Sequence, residues 1–267
     1  MVEFENFEEF IKEALHIIKA ADERGIDLRL MGGAAIRYHC HCPASISLYE
    51  KLGRAPKHDM DFAAYSSDRP KMKALFVDLG YTPYISLMMT GEAGRRRQIY
   101  NDKSGEKAID VIFDELKMCH IIKFKDRLEI DNPTIPLAEL LLQKLQIVEK
   151  NEKDIQDPII LLREHNVGNT DKEIVNAEYI AKLLSNDWGF YFTATRNLHR
   201  LVSDAETYKE SGKLEKTDQS TVNSRINLLL QRIEGEPKSL RWKIRAKVGT
   251  SKKWYNVVEE VERDTLS

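Results

Sequence analysis

One change of pattern limits what this chain can become: at Pro136 the hydrophobic period switches. Upstream, short extended runs alternate with helices and glycine turns; downstream, apolar residues recur at helical spacing almost to the end. A first helix is expected over residues 4–23, where Phe7, Phe10, Ile11, Ala14, Leu15 and Ile18 share a stripe and Gly25 supplies a stop. "DLRLM" then reads as a strand entering Gly32-Gly33, and "AAIRY" favours a helix. Residues 39–56 read as irregular, because Pro43, Gly53 and Pro56 interrupt them. A strand through Asp59 to Ala63 and a helix over 69–79 follow. "YTPYISLMM", "RRRQIY" and "KAIDVIF", joined by glycine-bearing turns, read as an antiparallel meander. Past Pro136, Leu137, Leu140, Leu141, Leu145 and Val148 form one apolar face, and Asp157-Pro158 reads as a cap and first-turn pair opening a further helix. The expected fold class is α/β (α+β): a mixed sheet with flanking helices in residues 1–168, then a helical bundle in residues 169–267.

The bulk properties narrow the classes. With 42% hydrophobic and 31% charged residues in 267, the profile is that of an ordinary globular chain rather than a disordered one. A formal net charge of -2 gives no global field to steer nucleic acid, so such binding would need a local patch. Three cysteines, an odd count, argue against a disulfide scaffold. "MVEFENFEEF" is acidic rather than signal-like, and the densest apolar run is "PIILL", so a cytoplasmic protein without membrane contact is expected.

The chemistry gathers in the first half. Within "PKHDMDF", Asp59 and Asp61 stand two apart in a strand and so project to the same side. Two such carboxylates repel, and burying them costs several kcal/mol per charge unless a cation neutralises them. Upstream, the strand ending in Gly32-Gly33 turns into a helix and offers backbone N–H groups and a positive helix end to an anion, with no side chain in the way. Asp110, flanked by apolar neighbours in "AIDVIF", supplies a third carboxylate; its competitor Asp114 falls where the strand ends and reads as a turn residue. Strand-borne carboxylates beside a glycine turn suit Mg²⁺, and a two-ion site can clamp an in-line phosphoryl or nucleotidyl transfer.

"GGAAIR", "KHDMDF" and "AIDVIF" resemble the three motifs of the polymerase-beta-like nucleotidyltransferase superfamily. "PLAELLLQKL" followed by "KDIQD" is similar to the AbiEii/AbiGii-type branch, whose members are toxins of toxin–antitoxin or abortive-infection systems. The resemblance spans roughly residues 28–165. It implies a nucleotidyltransferase-like sheet and transfer of NMP from an NTP to a hydroxyl on RNA, a protein or a small molecule. It places Gly32 and Gly33 at the triphosphate, and Asp59, Asp61 and Asp110 at the metals and the chemistry. It further implies nucleotide-site roles for Lys144 and Asp157, an RNA (tRNA) acceptor and an antitoxin protein as partner. Two departures stand out: the spacer from Gly33 to Asp59 is long, and Lys153 stands where the branch usually has Arg. "GGAAI" to "HDMDF" is equally compatible with antibiotic-modifying nucleotidyltransferases, and a non-catalytic nucleotide- or RNA-binding module of the same fold is the third alternative.

Each signal has a plainer reading beside it. Lys144 lies on the apolar stripe of its helix, where it either meets an anion or carries its ammonium back to water. Lys153, Asp154 and Asp157 read most simply as a solvated helix face with an N-cap. "YHCHC" at 38–42 invites a zinc site, but its ligands are adjacent and no spaced second pair is near, so a partly buried loop is favoured. "PKSLRWKIRAKVGTSKKW" at 237–254 lacks acidic residues and mixes Trp242 and Trp254 with Lys and Arg. It suits RNA, or else an amphipathic helix with its tryptophans in the core.

Overall fold

The computed structural model describes residues 2–54, 60–84, 95–102 and 108–258. Among these, strands β1 (Arg29–Met31), β2 (Met60–Ala64), β3 (Thr82–Pro83), β4 (Arg97–Asn101) and β5 (Ala108–Phe113) form one sheet of order β1-β2-β5-β4-β3. Only β2 and β5 run parallel; the other pairs are antiparallel, so the sheet is mixed. β3, β4 and β5 pair as the expected meander would, while its residues 85–94 and 103–107, including both turns, lie outside the described residues. The central strands are covered on both faces: in β2 only Asp61 is not fully buried. Sealing Phe62, Tyr100 and Phe113 in that core contributes about 1.5–3 kcal/mol for each large apolar side chain.

Helix α1 (Val2–Asp22) packs through Phe10, Ala14, Ile17, Ile18 and Ala21; of the expected stripe Phe10, Ala14 and Ile18 are buried, and Phe7, Ile11 and Leu15 only partly so. α2 (Gly32–His39) leaves β1 directly, and α4 (Arg69–Asp78) links β2 to the meander. The stretch read as irregular instead contains α3 (Pro43–Leu52). Its start is built from Pro43 at the first turn and the Cys42 thiol accepting from Ser45 N. Leu48, Tyr49 and Leu52 are buried, and Gly53 ends it at φ 66°.

A hairpin of β6 (Glu115–Lys117) and β7 (Ile121–Lys123) precedes the helical half. There the chain returns to β1: Leu30 N donates to Pro133 O and Ile135 N to Leu30 O, at 2.9 and 3.0 Å. This edge contact launches α5 (Leu137–Leu145) across the front of α2, and α5 stops at Leu145, short of Val148. α6 (Lys153–Glu164) also departs from expectation, since Asp157-Pro158 lies inside it rather than at its start. Reciprocal bonds between Asn151 and Asp154 open the helix, while Asp157 is spent on buried ion pairs. The remaining elements are β8 (Asn166–Gly168), β9 (Ile174–Asn176), α7 (Ala177–Leu184), α8 (Trp188–Glu210), α9 (Lys216–Gly235) and α10 (Leu240–Val248). Buried apolar residues run without a break from α1 to α9. No helix among the described residues is long and apolar enough to cross a membrane.

His120 locks the hairpin to α8. It is 4% exposed, its Nε2 is 2.8 Å from Thr193 Oγ1, and its ring stacks on Phe190 at 4.8 Å. Burial pushes its imidazole down to about 4, which Asp187 offsets only in part. The folded pKa is thus depressed: the stabilisation is complete above the ordinary histidine value and is lost as pH falls through about 4. A gap of this size is worth about 3 kcal/mol. Urea titrations at pH 7 and pH 4 should show wild type losing more stability than His120→Gln by about that amount, and equal losses would contradict the assignment.

Candidate active site

Asp61 and Asp110 are register partners on the parallel strands β2 and β5, which puts their side chains next to each other on one face of the sheet. Adjacent strands are about 4.8 Å apart, so the two side chains leave the sheet as neighbours. On the far side Asp61 pairs with Met31, the last residue of β1, and the chain turns immediately into α2. Gly32 makes that turn at φ 71°, and a Cβ there would come within 2.9 Å of Asp61 Oδ2. Both the dihedral and the close approach require glycine. Its N–H donates to Gln143 Oε1 of α5 at 3.0 Å. Asp59 lies outside the described residues.

Asp110 is 4% exposed and held by Arg97 in a two-pronged pair: Nε donates to Oδ1 at 2.6 Å and Nη2 to Oδ2. The Arg97 side chain is 31% exposed, so it reaches this carboxylate from solvent. Asp114 takes the turn role expected of it, at φ 61°, accepting from Ser66 N at 2.9 Å.

A second polar cluster sits under Gly33. Asp157, 0% exposed, receives Arg54 Nε on Oδ1 at 2.7 Å and Arg54 Nη2 on Oδ2 at 3.1 Å. Lys144 Nζ reaches Asp157 Oδ2 at 2.9 Å and Asp154 Oδ1 at 3.5 Å. Burial works to raise the Asp157 carboxyl, but Lys144 and Arg54 together hold it below the usual carboxylate range. A Cβ on Gly33 would lie 2.8 Å from Arg54 Nη2 and 3.4 Å from Asp157 Oδ2, so the ion pair forms the floor beneath the glycine turn. Lys144 therefore meets carboxylates of its own chain rather than solvent. The sequence offered no sign of Arg54 beyond its place after Gly53; only the fold brings it to Asp157, 103 positions away.

The sheet carboxylates and the Gly32–Gly33 turn thus lie beside a buried cluster in which Asp154 and Asp157 meet Arg54 and Lys144.

The basic stretch at 237–254 lies elsewhere, in the helical half. α10 has no buried residue, and Trp242 and Trp254 are half-buried rather than in the core. With Trp188, Arg241, Arg245 and Lys253 they line a cleft of about 790 Å³. Arg245 lies over the Trp188 ring at 4.8 Å, and Trp254 Nε1 donates to Thr193 at 3.1 Å.

No family model matches the chain, and no curated protein matches it. Among solved structures, it is similar to the solution structure of the antibiotic-resistance factor ANT(2'')-Ia. That likeness has 11% identity and a TM-score of 0.34 and covers 65% of this chain and 92% of that one. A superposition so loose does not bear on the activity.

Proposed function

We propose that the chain is a nucleotidyltransferase that moves NMP from an NTP to an acceptor hydroxyl. The observation that carries this reading is the register pair Asp61–Asp110 set against the positive-φ glycine at the head of α2. The acceptor oxygen bonds to the α-phosphorus, the bond to the β-phosphate bridge breaks, and pyrophosphate leaves with its electron pair. In this reading Asp110 would take the hydroxyl proton. The triphosphate would lie along the Gly32–Gly33 turn and take the Gly32 N–H over from Gln143 Oε1, with Lys144 and Asp157 shaping the floor below it.

Hard oxygen donors on one face of the sheet fit Mg²⁺, which Asp61 and Asp110 would hold, with Asp59 as the remaining ligand of a two-ion site. Bound there, it would supply charge neutralisation for the phosphates and the entering oxygen. For Asp110 to serve, the Arg97 side chain, which is 31% exposed, must swing aside. The Arg97–Asp110 pair also supports a second reading, a nucleotide-binding module in which that carboxylate is permanently neutralised.

RNA, in particular a tRNA end, is the favoured acceptor, because the cationic, tryptophan-bearing cleft offers charge for phosphates and ring faces for bases. The AbiEii-type motif resemblance adds a toxin role and an antitoxin partner to this reading. Incubation with each α-phosphate-labelled NTP, Mg²⁺ and total bacterial RNA tests it, beside Asp59→Ala/Asp61→Ala. Label should enter RNA with the native carboxylates alone. Label on small hydroxylated acceptors instead would turn the reading to antibiotic modification, and NTP binding without any transfer would leave the binding module.

A further inference from the structure

The "YHCHC" run does not hold together as a cluster: Cys40 is buried against α6, Cys42 caps α3, and His41 is exposed. His39, the last residue of α2, instead meets His165 at the end of α6 and Glu173 ahead of β9. One ring nitrogen from each histidine and a Glu173 carboxylate oxygen all lie within 4.8 Å of one another. His39 Nδ1 is 3.3 Å from Glu173 Oε1, and His165 Nδ1 is 3.6 Å from Oε2.

Proton placement shows what these three groups lack. Thr134 Oγ1 gives its single hydroxyl proton to Ile135 O at 2.9 Å, so the His39 Nε2 that lies 2.7 Å from Oγ1 must be the donor there. In the neutral ring Nδ1 is then a bare lone pair, and it faces a carboxylate. His165, 8% exposed, has its Nδ1 3.3 Å from the Glu173 backbone carbonyl as well as near the carboxylate, and its Nε2 is buried with no hydrogen-bond partner among the described residues.

We infer that His39, His165 and Glu173 form a site for a divalent transition-metal ion of the zinc type, separate from the carboxylates of the sheet. Two imidazoles and a carboxylate are ligands zinc accepts, leaving the fourth tetrahedral position to water. Tetrahedral bonds of about 2.0–2.1 Å put ligand atoms about 3.3–3.4 Å apart; His39 Nδ1 and Glu173 Oε1 already stand 3.3 Å apart, and the full set of three lies within 4.8 Å. The Nε2–H of His39 on Thr134, itself anchored to a carbonyl, is the outer hydrogen bond that fixes the tautomer of a metal-bound histidine. Glu173 is 61% exposed, which gives the ion an entry path, and its φ of 53° is a strained value for a non-glycine residue. The ion would tie the end of α2 to α6 and to the β8–β9 connection, at the opposite end of α2 from Gly32. This inference does not rest on the proposed transferase activity.

The test uses the full chain, stripped with a chelator and titrated with Zn²⁺ or Co²⁺ alone. One equivalent should bind, Co²⁺ should give the visible absorption of a tetrahedral site, and Zn²⁺ should raise the melting temperature. Removing a buried histidine risks the fold, so Glu173→Gln is the deciding variant and should weaken binding at least about tenfold. Asp61→Asn should bind zinc as wild type does. Absence of stoichiometric uptake, binding indifferent to Glu173→Gln, or loss of binding in Asp61→Asn would each overturn the assignment.

Discussion

Asp61→Asn is expected to lower nucleotidyl transfer by at least about 10³-fold, or about 4 kcal/mol of transition-state stabilisation, while the protein stays folded by circular dichroism. Asparagine keeps the shape beside Gly32 but removes the negative charge that would hold a cation. Arg97→Gln separates the two readings of the site further. In the transferase reading Arg97 competes with metal for Asp110, so its removal should lower the Mg²⁺ concentration needed for half-maximal turnover. If the chain is instead a binding module, neither variant changes a turnover that is absent from the start, and both should still bind NTP. A wild-type enzyme whose rate is untouched by Asp61→Asn would remove the reading altogether.

Local sequence revealed those parts of this site that depend on local geometry. The strand–glycine–helix passage at 29–39 was visible because period-two and helical patterns meet at Gly32-Gly33, and the mixed α/β class followed from the switch at Pro136. Register was not visible. That Asp61 stands opposite Asp110 depends on β2 and β5 pairing in parallel across 49 positions (110 − 61), with α4 and the β3–β4 hairpin between them. α3 was hidden because Pro43 and Gly53 look like interruptions, when they are the first turn and the stop of a short helix. Asp157 looked like a cap because Asp-Pro so often is one; its real partners, Arg54 and Lys144, come from other elements, and one of them was not suspected. The same blindness to long-range pairing scattered His39, His165 and Glu173 along the chain and directed suspicion to the neighbours of His39.

Breaking the Arg54–Asp157–Lys144 cluster should have the largest effect on stability. Asp157→Asn leaves a buried guanidinium with half its partner, and losses of about 3–5 kcal/mol are typical when one member of a buried pair is removed. Urea denaturation at neutral pH measures it. The pH dependence should follow: this carboxyl is held below the ordinary range in the folded state, so its contribution is complete above the unfolded carboxyl value. It is lost as pH falls through the lower, folded one. Wild type should therefore weaken steeply below about pH 4, and Asp157→Asn should lack that limb. Replacing both partners, Arg54→Met with Asp157→Leu, should cost less than the sum of the single changes, since the guanidinium leaves with its carboxylate and Lys144 keeps Asp154. Function supplies the other discriminant. Because Arg54 Nη2 lies under Gly33, relaxation of the pair should raise the KM for NTP in the double variant even where stability is recovered. Recovery of both would reduce the cluster to a folding element, with no part in shaping the nucleotide floor.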